Sequence, residues 1–456
     1  MNRTTKILLA AVGILVLSYP GVAWVTGIAI ESRIQHGEEQ TLARVPYLTL
    51  VKREYTRGVY RSTEIDTYGL RSPALQALKA TGAAALPSTA TITVASNIQH
   101  GPFPGLHAVA LATVDSTLIV PPGVQKELSG ALGSRPLVQA HTTIGLFGGA
   151  STNLTSPAFS MRYADGSTLT WGGMTATLTA TRNQGRWSGE LSLPRLSFQS
   201  PEIRFELAGI EYSGTHERAF GDFYLGNGTL TIERIASHTP RPGGDFSVQR
   251  ASVTSASKAT GDFFDMQVDV TTDAAQIASV SLKDVVYWES FEHIHGPTFA
   301  AMLQAFRAAQ RQAGTDRAQF QTGVQAALRQ YGGDLLLHDP VLDLRKVSFT
   351  MPEGNFLLSA RISAPGLSPA DLKWPAAILA LKSHAAVTAD LRVDNGLVQK
   401  LLTMGGADPR KAARLTSLEQ QGYLTAGSSA LTTHLEFSAG RLTLNGHPFP
   451  PAAPVN

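Results

Sequence analysis

Two histidines spaced two apart, His293 and His295, are the first residues in this 456-residue chain whose types and spacing suit chemistry. On an extended strand both imidazoles would leave the same face, and a neutral ring nitrogen from each is a good transition-metal ligand. They lack a third ligand beyond Glu289 or Glu292, so no metal centre is assigned. His338-Asp339-Pro340 stands just before a strand pattern and reads as a turn.

Other searches for chemistry return little. The chain contains no Gly-x-Ser-x-Gly elbow, no HExxH, no phosphate-binding loop and no GxGxxG after a strand. It has no cysteine, which excludes disulfides, thiolate metal sites and a cysteine nucleophile. Its 35 carboxylates are scattered, so an acid–base pair brought together by folding stays open. No catalytic residue, cofactor or metal is assigned, and the chain is expected not to be an enzyme. Net charge is +3, and no basic block appears anywhere, so nucleic acid is not an expected partner.

Two short motifs carry more local information. In His100-Gly101-Pro102-Phe103-Pro104 each proline fixes φ near −65° and pushes its predecessor toward extended geometry. The result is a stiff hook with His100 at its base. It serves either as a ligand or partner contact or as a rigid corner ending a strand, with Phe103 in the core. In Tyr55-Thr56-Arg57-Gly58-Val59-Tyr60-Arg61-Ser62, alternation puts Arg57 and Arg61 on one face of a strand, which suits lipid headgroups or an exposed sheet edge.

The elements that would position these residues are mostly strands. From about residue 88 to 290, short alternating runs are separated by Asp165-Gly166, Asn183-Gln184-Gly185, Asn227-Gly228 and Pro242-Gly243-Gly244, which predicts successive antiparallel hairpins. The pattern then turns helical. Phe299, Met302, Leu303 and Phe306 make one helical face, and a second helix opens at Thr315 and stops at Gly332-Gly333. Strands resume at Val341–Thr350, Phe356–Ile362 and Ala386–Val393. Helices follow near 396–421, with a closing hairpin at Ala430–Ser438 and Arg441–Asn445. The fold class is α+β, predominantly antiparallel β, as an extended or curved sheet body with a helical insertion.

The N-terminus adds a transmembrane helix to this expectation. Ile7–Ile30 holds no Asp, Glu, Lys or Arg, and as a helix would reach roughly 36 Å, against about 30 Å of hydrocarbon. A cleaved signal peptide ending near Gly27 or Ala29 is the competing reading, opposed by apolar character that continues to Ile28. The expected organisation is a cytoplasmic stub and signal anchor at 1–30, a mainly β region beyond the membrane at 31–290, an α+β region at 291–446 and a proline-rich tail at 447–456. Helices are placed near 297–331 and 396–421. This predicts a single-pass protein with a cytoplasmic N-terminus and its body on the far side of the membrane.

The motifs also carry a resemblance. Tyr55–Ser62 and His100–Pro104, with Leu431-Thr432-Thr433-His434-Leu435 through Asn445-Gly446 and Ala23-Trp24-Val25-Thr26-Gly27, resemble those of the bacterial YdgA family. The resemblance implies a protein anchored once in a bacterial inner membrane with its C-terminal body in the periplasm, a domain of unknown function, and self-association as a homodimer. It brings no catalytic residues. Tyr55, Arg57, Gly58, His100, Gly101, Pro102, Phe103 and Pro104 are carried as motif residues of unknown role.

Three functions are therefore expected in descending order. The first is non-enzymatic binding of lipid or another hydrophobic ligand, with membrane lipid as partner through the N-terminal helix. The second is a self-associating scaffold or regulatory protein with an envelope protein partner. The third is a hydrolase without a recognisable motif.

Overall fold

The computed structural model describes the backbone of residues 3–45, 48–70, 90–240, 244–314, 316–372, 376–403 and 409–449. The chain opens with a helix, α1 (Arg3–Arg44). Ten strands follow, with a second helix among them: β1 (Leu48–Arg57), β2 (Arg61–Leu70), β3 (Ala90–His100), β4 (Ala112–Ile119), α2 (Pro122–Leu132), β5 (Gln139–Ile144), β6 (Ala150–Ser156), β7 (Phe159–Arg162), β8 (Thr168–Trp171), β9 (Met174–Ala180) and β10 (Arg186–Gln199). Five long strands come next: β11 (Arg204–Phe220), β12 (Phe223–His238), β13 (Phe246–Thr260), β14 (Phe263–Ile277) and β15 (Val280–His295). After α3 (Gly296–Ala313) and α4 (Arg317–Leu336) the chain alternates: β16 (Val341–Met351), β17 (Gly354–Ser363), α5 (Ala376–His384), β18 (Ala386–Asp394), α6 (Asn395–Thr403) and α7 (Pro409–Gln420). It closes with β19 (Thr425–Ala426), β20 (Ala430–Ser438), β21 (Arg441–Leu444) and β22 (His447–Pro448).

Two compact units result. One comprises Met1–Tyr163, Leu169–Pro194 and Ala305–Val324; the other comprises Ala164–Thr168, Arg195–Gln304 and Gln325–Asn456. In the first, β1, β2, β3, β4, β5, β6 and β9 pair in that order, each antiparallel to the next, and β10 continues the row beside β9. Helix α1 lies against it because Ala23, Gly27, Ile30 and Ile34 recur at the four-three spacing of a helix face. Ile30 is fully buried with Ile98, Ala112 and Val114, and Ile34, Tyr55 and Ile144 pack around them.

The second unit is a long meander, β11 through β18 in chain order, with β20 beside β18 and β21 beside β20. Its cores are local. Phe264 meets Phe220, Phe223 and Phe299 at ring separations of 5.2 to 6.2 Å. Met351, Val393 and Leu397 form a second cluster, and Ala364, Leu367 and Ala380 a third.

The expected antiparallel β character is present, but the transmembrane helix is not. Among the described residues no helix is long and apolar enough to cross a membrane. The apolar run does not end in a free anchor at residue 30. Helix α1 continues to Arg44, and Ala23 and Ile30 are spent on the protein's own sheet, both at 0% exposure. The side chains of the earlier part, Ile7–Leu17, lie outside the described residues.

Smaller corrections follow the same physical theme, in which tertiary pairing overrides local signals. Asn227-Gly228 is not a turn: both residues sit inside β12, paired with β11 on one side and β13 on the other. Gly221, at φ +57°, takes the turn instead. Gly332-Gly333 does not stop α4, which runs on to Leu336. Thr315 lies outside the described residues; Asp316 caps that helix, its Oδ1 accepting from the amides of Ala318 and Gln319 at 2.9 and 3.0 Å. Helices α2 and α5 carried no signal strong enough to be expected. The tail begins as a short strand, β22, and 450–456 lie outside the described residues. So do Pro242-Gly243 and residues 71–89.

Candidate functional site

Within the first unit, the two sequence motifs meet on α1. His100, at the end of β3, is 1% exposed, as is Ser62 on β2. The imidazole Nδ1 lies 2.9 Å from the carbonyl of Val59, which can only accept, so Nδ1 carries the proton. Nε2 is then the acceptor for the Ser62 hydroxyl at 2.9 Å. Gly27 of α1 covers the ring. Further along, Thr26 Oγ1 lies 3.1 Å from the Gly101 carbonyl, and the Tyr19 hydroxyl donates to the Phe103 carbonyl at 2.8 Å.

A serine hydrogen-bonded to a histidine resembles a nucleophile with its general base. Here a backbone carbonyl stands where a carboxylate would orient the imidazole, and burial of both side chains leaves no room for a substrate at Ser62 Oγ. This pair locks the helix to the sheet.

The motif residues are thereby placed. The segment 55–62 is no single strand face: Gly58, Val59 and Tyr60 form the turn between β1 and β2, where a Cβ on Gly58 would sit 2.4 Å from the Arg61 carbonyl oxygen. Arg57 pairs with Glu31 and lies 5.7 Å from the centre of the Trp24 ring. Tyr55 packs on the Ile30 cluster. The 100–104 segment is a rigid corner, yet Phe103 is exposed, and His100, Gly101 and Pro104 are the buried members. Gly101 is obligatory in the corner, since a Cβ would fall 2.0 Å from the Ala110 carbonyl oxygen.

A second cluster fixes the far part of α1. Arg53 Nε lies 3.0 Å from Glu64 and 3.1 Å from Asp66, and its guanidinium also pairs with Glu38. Tyr68 donates to Glu38 at 2.6 Å. Three carboxylates thus share one guanidinium almost out of water. Burial pushes the Glu64 carboxyl above its ordinary range, the Asp66 charge adds to this, and Arg53 opposes it. Burial likewise raises Tyr68, whose phenol stays protonated as a donor.

At the opposite end of this unit's sheet is a cleft of about 360 Å³. Its walls come from the segment after α2 (Arg135, Pro136), the end of β6 with Pro157 and Ala158, the β8–β9 turn (Gly172, Gly173) with Met174, and Ser192 and Pro194 of β10. Ser156 is buried there and accepts the Trp171 indole N–H at 2.9 Å, which fixes one wall. Gly173, at φ +85°, brings the backbone in so closely that a Cβ would sit 3.0 Å from the Ser156 carbonyl oxygen. Arg135 is the one charged residue of the lining, its Nε held 3.2 Å from the Leu132 carbonyl at the end of α2. The sequence offered no motif for this cleft, because its residues are prolines, glycines and hydroxyls that read as turns.

In the second unit His293 and His295 do converge, but on an aromatic ring rather than a metal. His293 stacks on Phe263 at 4.1 Å, and His295 meets the same ring edge-on at 5.6 Å. His338, from the turn before β16, stacks on His295 at 4.0 Å. Burial lowers the His295 basicity and the adjacent His338 charge adds to it, with Asp262 and Asp334 opposing. Among the described residues no group of three His, Asp or Glu side chains could hold a metal. Glu292 instead pairs with Arg345 and Arg361 at 3.3 and 3.2 Å.

Comparison with known families decides the affiliation. A family model described as a bacterial protein of unknown function, DUF945, matches residues 1–452. The chain belongs to the DUF945 family. No curated protein and no solved structure matches it. Family membership agrees with the YdgA resemblance without naming a relative, and DUF945 brings no activity to any of the residues above.

Proposed function

We propose that this DUF945 protein is a non-enzymatic binding protein for an amphiphilic anion, an apolar chain bearing a carboxylate or phosphate head, held in the cleft beside Arg135. The carrying observation is a single guanidinium at an otherwise uncharged cleft with Pro136, Pro157, Ala158, Met174 and Pro194 in its walls. The volume falls within the range of about 300 to 1,000 Å³ common to small-molecule sites. Met174 supplies an adaptable apolar surface. Thr155, Thr175, Ser192 and Gln139 offer neutral hydrogen bonds around the head. A carboxylate in the lining would repel such a ligand, and there is none.

Binding rather than catalysis is supported by what surrounds the cleft. Its lining holds no histidine, no acid and no activated nucleophile, so a bound molecule meets no general base. An envelope location is part of the proposal and suits such a ligand. Native mass spectrometry of gently purified protein tests it: an acidic lipid or fatty acid should co-purify and be lost in Arg135→Gln. Protein that carries no such mass from cells would count against it.

Self-association has weaker support. Among the described residues β1 pairs on one side only, with β2. That edge is blunted by a register break between Leu50 and Lys52 and by the exposed Lys52 itself, both of which discourage strand addition.

A further inference from the structure

The strand register places four connections of the first unit at one end of its sheet. Arg57 pairs with Ser62, Arg61 with Gln99, His100 with Ala112, Ala112 with Ile144, Ile144 with Ala150, Ala150 with Ala180 and Ala180 with Trp187. The segments 58–60, 101–111, 145–149 and 181–185 therefore emerge side by side.

Two properties coincide there. The first is large apolar residues left in water at the tips: Phe147 is 88% exposed and Leu106 82%, with Val109, Tyr60, Leu146 and Phe103 also exposed. Large apolar side chains gain free energy on leaving water, so six exposed at one end form an unsatisfied surface. The second is charge of one sign. Residues 57–62, 100–112, 144–150 and 180–187 contain Arg57, Arg61, Arg182 and Arg186 but not one Asp or Glu. Arg57 is engaged with Glu31, while Arg61, Arg182 and Arg186 are exposed. At the other end, the connection between β4 and β5 carries both signs, with Lys126, Glu127 and Arg135.

We infer that this end docks on the surface of an anionic lipid bilayer, with Leu106 and Phe147 entering the headgroup region and Arg61, Arg182 and Arg186 meeting acidic headgroups. Charge complementarity selects that occupant. Apolar tips alone would fit a protein groove, but apolar tips on connections that carry arginines and no acid match a surface that is oily beneath and negative above. Tyr60 and Tyr19, stacked at 5.7 Å, stand at the same level, where amphipathic rings favour the membrane interface. The inference concerns these loops and requires no helix that crosses the bilayer. It is independent of the cleft, which lies at the other end of the same sheet.

Because the chain has no cysteine, a single introduced one reports on one place. Full-length Phe147→Cys, Leu106→Cys and, as control, Gly130→Cys on α2 would each carry an environment-sensitive nitrobenzoxadiazole label. Each would be mixed with phosphatidylcholine vesicles with or without 30 mol% phosphatidylglycerol, the acidic lipid chosen to make about a third of the surface anionic. The labels at 147 and 106 should brighten several-fold with the acidic vesicles and be quenched by spin-labelled lipid, while the label at 130 stays unchanged. Replacing Arg61, Arg182 and Arg186 by Gln should weaken the response by about fivefold per arginine. The inference fails if 147 and 106 respond no more than 130. It fails equally if the response ignores headgroup charge, or if only an added protein, never a vesicle, alters the labels.

Discussion

Gly27 and His100 are in contact across the α1–sheet interface, so close that a Cβ on Gly27 would lie 2.6 Å from the imidazole Cε1. The ring cannot step aside, because Ser62 and the Val59 carbonyl hold its two nitrogens at 2.9 Å each. Gly27→Ala should therefore cost about 1 to 3 kcal/mol through overpacking. Urea denaturation should show the loss, and Gly27→Ala combined with His100→Ala should lose less than the sum of the two. Strict additivity would show that the contact is not formed.

The serine of this lock is a donor, not a nucleophile. Ser62→Ala leaves the buried Nε2 of His100 without its hydrogen bond, a loss of about 1 to 3 kcal/mol. A fluorophosphonate, which phosphonylates the nucleophilic serine of serine hydrolases with loss of fluoride, should leave Ser62 unlabelled in the native protein. Stoichiometric labelling at Ser62 would return the pair to catalysis.

Glu64 gives a pH dependence with a definite sign. Its folded carboxyl titrates above the ordinary 4.5, mainly through burial, so the folded state favours the protonated form. The stability this contributes is present below about pH 4.5 and is lost as pH rises through the raised value. Glu64→Gln, which mimics the protonated group, should therefore be more stable than wild type at pH 7, and the gap should close on acidification. A wild type more stable than Glu64→Gln at pH 7 would mean that the Arg53 attraction outweighs burial.

Phe264 is the aromatic centre of the second unit's meander, 2% exposed and in contact with three phenylalanines. Phe264→Ala should cost about 3 to 5 kcal/mol, the range for emptying a buried aromatic site. Calorimetry should record the drop. A shift no larger than that of a surface substitution would contradict the packing described.

The hairpins were legible because strands that bury one side announce themselves by alternation, and most turns by Gly or Asn. Legibility failed where a signal was local and its outcome was not. Asn227-Gly228 has the composition of a hairpin turn, but neighbours on both sides hold it extended. The stiffness of 100–104 could be read from its prolines. The partner that seals His100 could not, because Ser62 is 38 residues away and no pattern links them. The run Ile7–Ile30 read as lipid-facing because hydropathy does not distinguish burial in lipid from burial against a sheet; Ala23, Gly27 and Ile30 chose the sheet. The cleft was invisible for a related reason. Arg135, Ser156, Gly173 and Ser192 come from four separate segments, each unremarkable alone.

The most direct test of the proposed function is a calorimetric titration of the full-length protein with decyl phosphate, kept below its micellar concentration, and with decanol as the uncharged control. Wild type should bind decyl phosphate saturably at one site. Arg135→Gln should bind it at least tenfold more weakly, about 1.4 kcal/mol, and decanol should bind both proteins alike. Absence of saturable binding to wild type, or equal affinity in Arg135→Gln, would contradict an anion-headed ligand in this cleft.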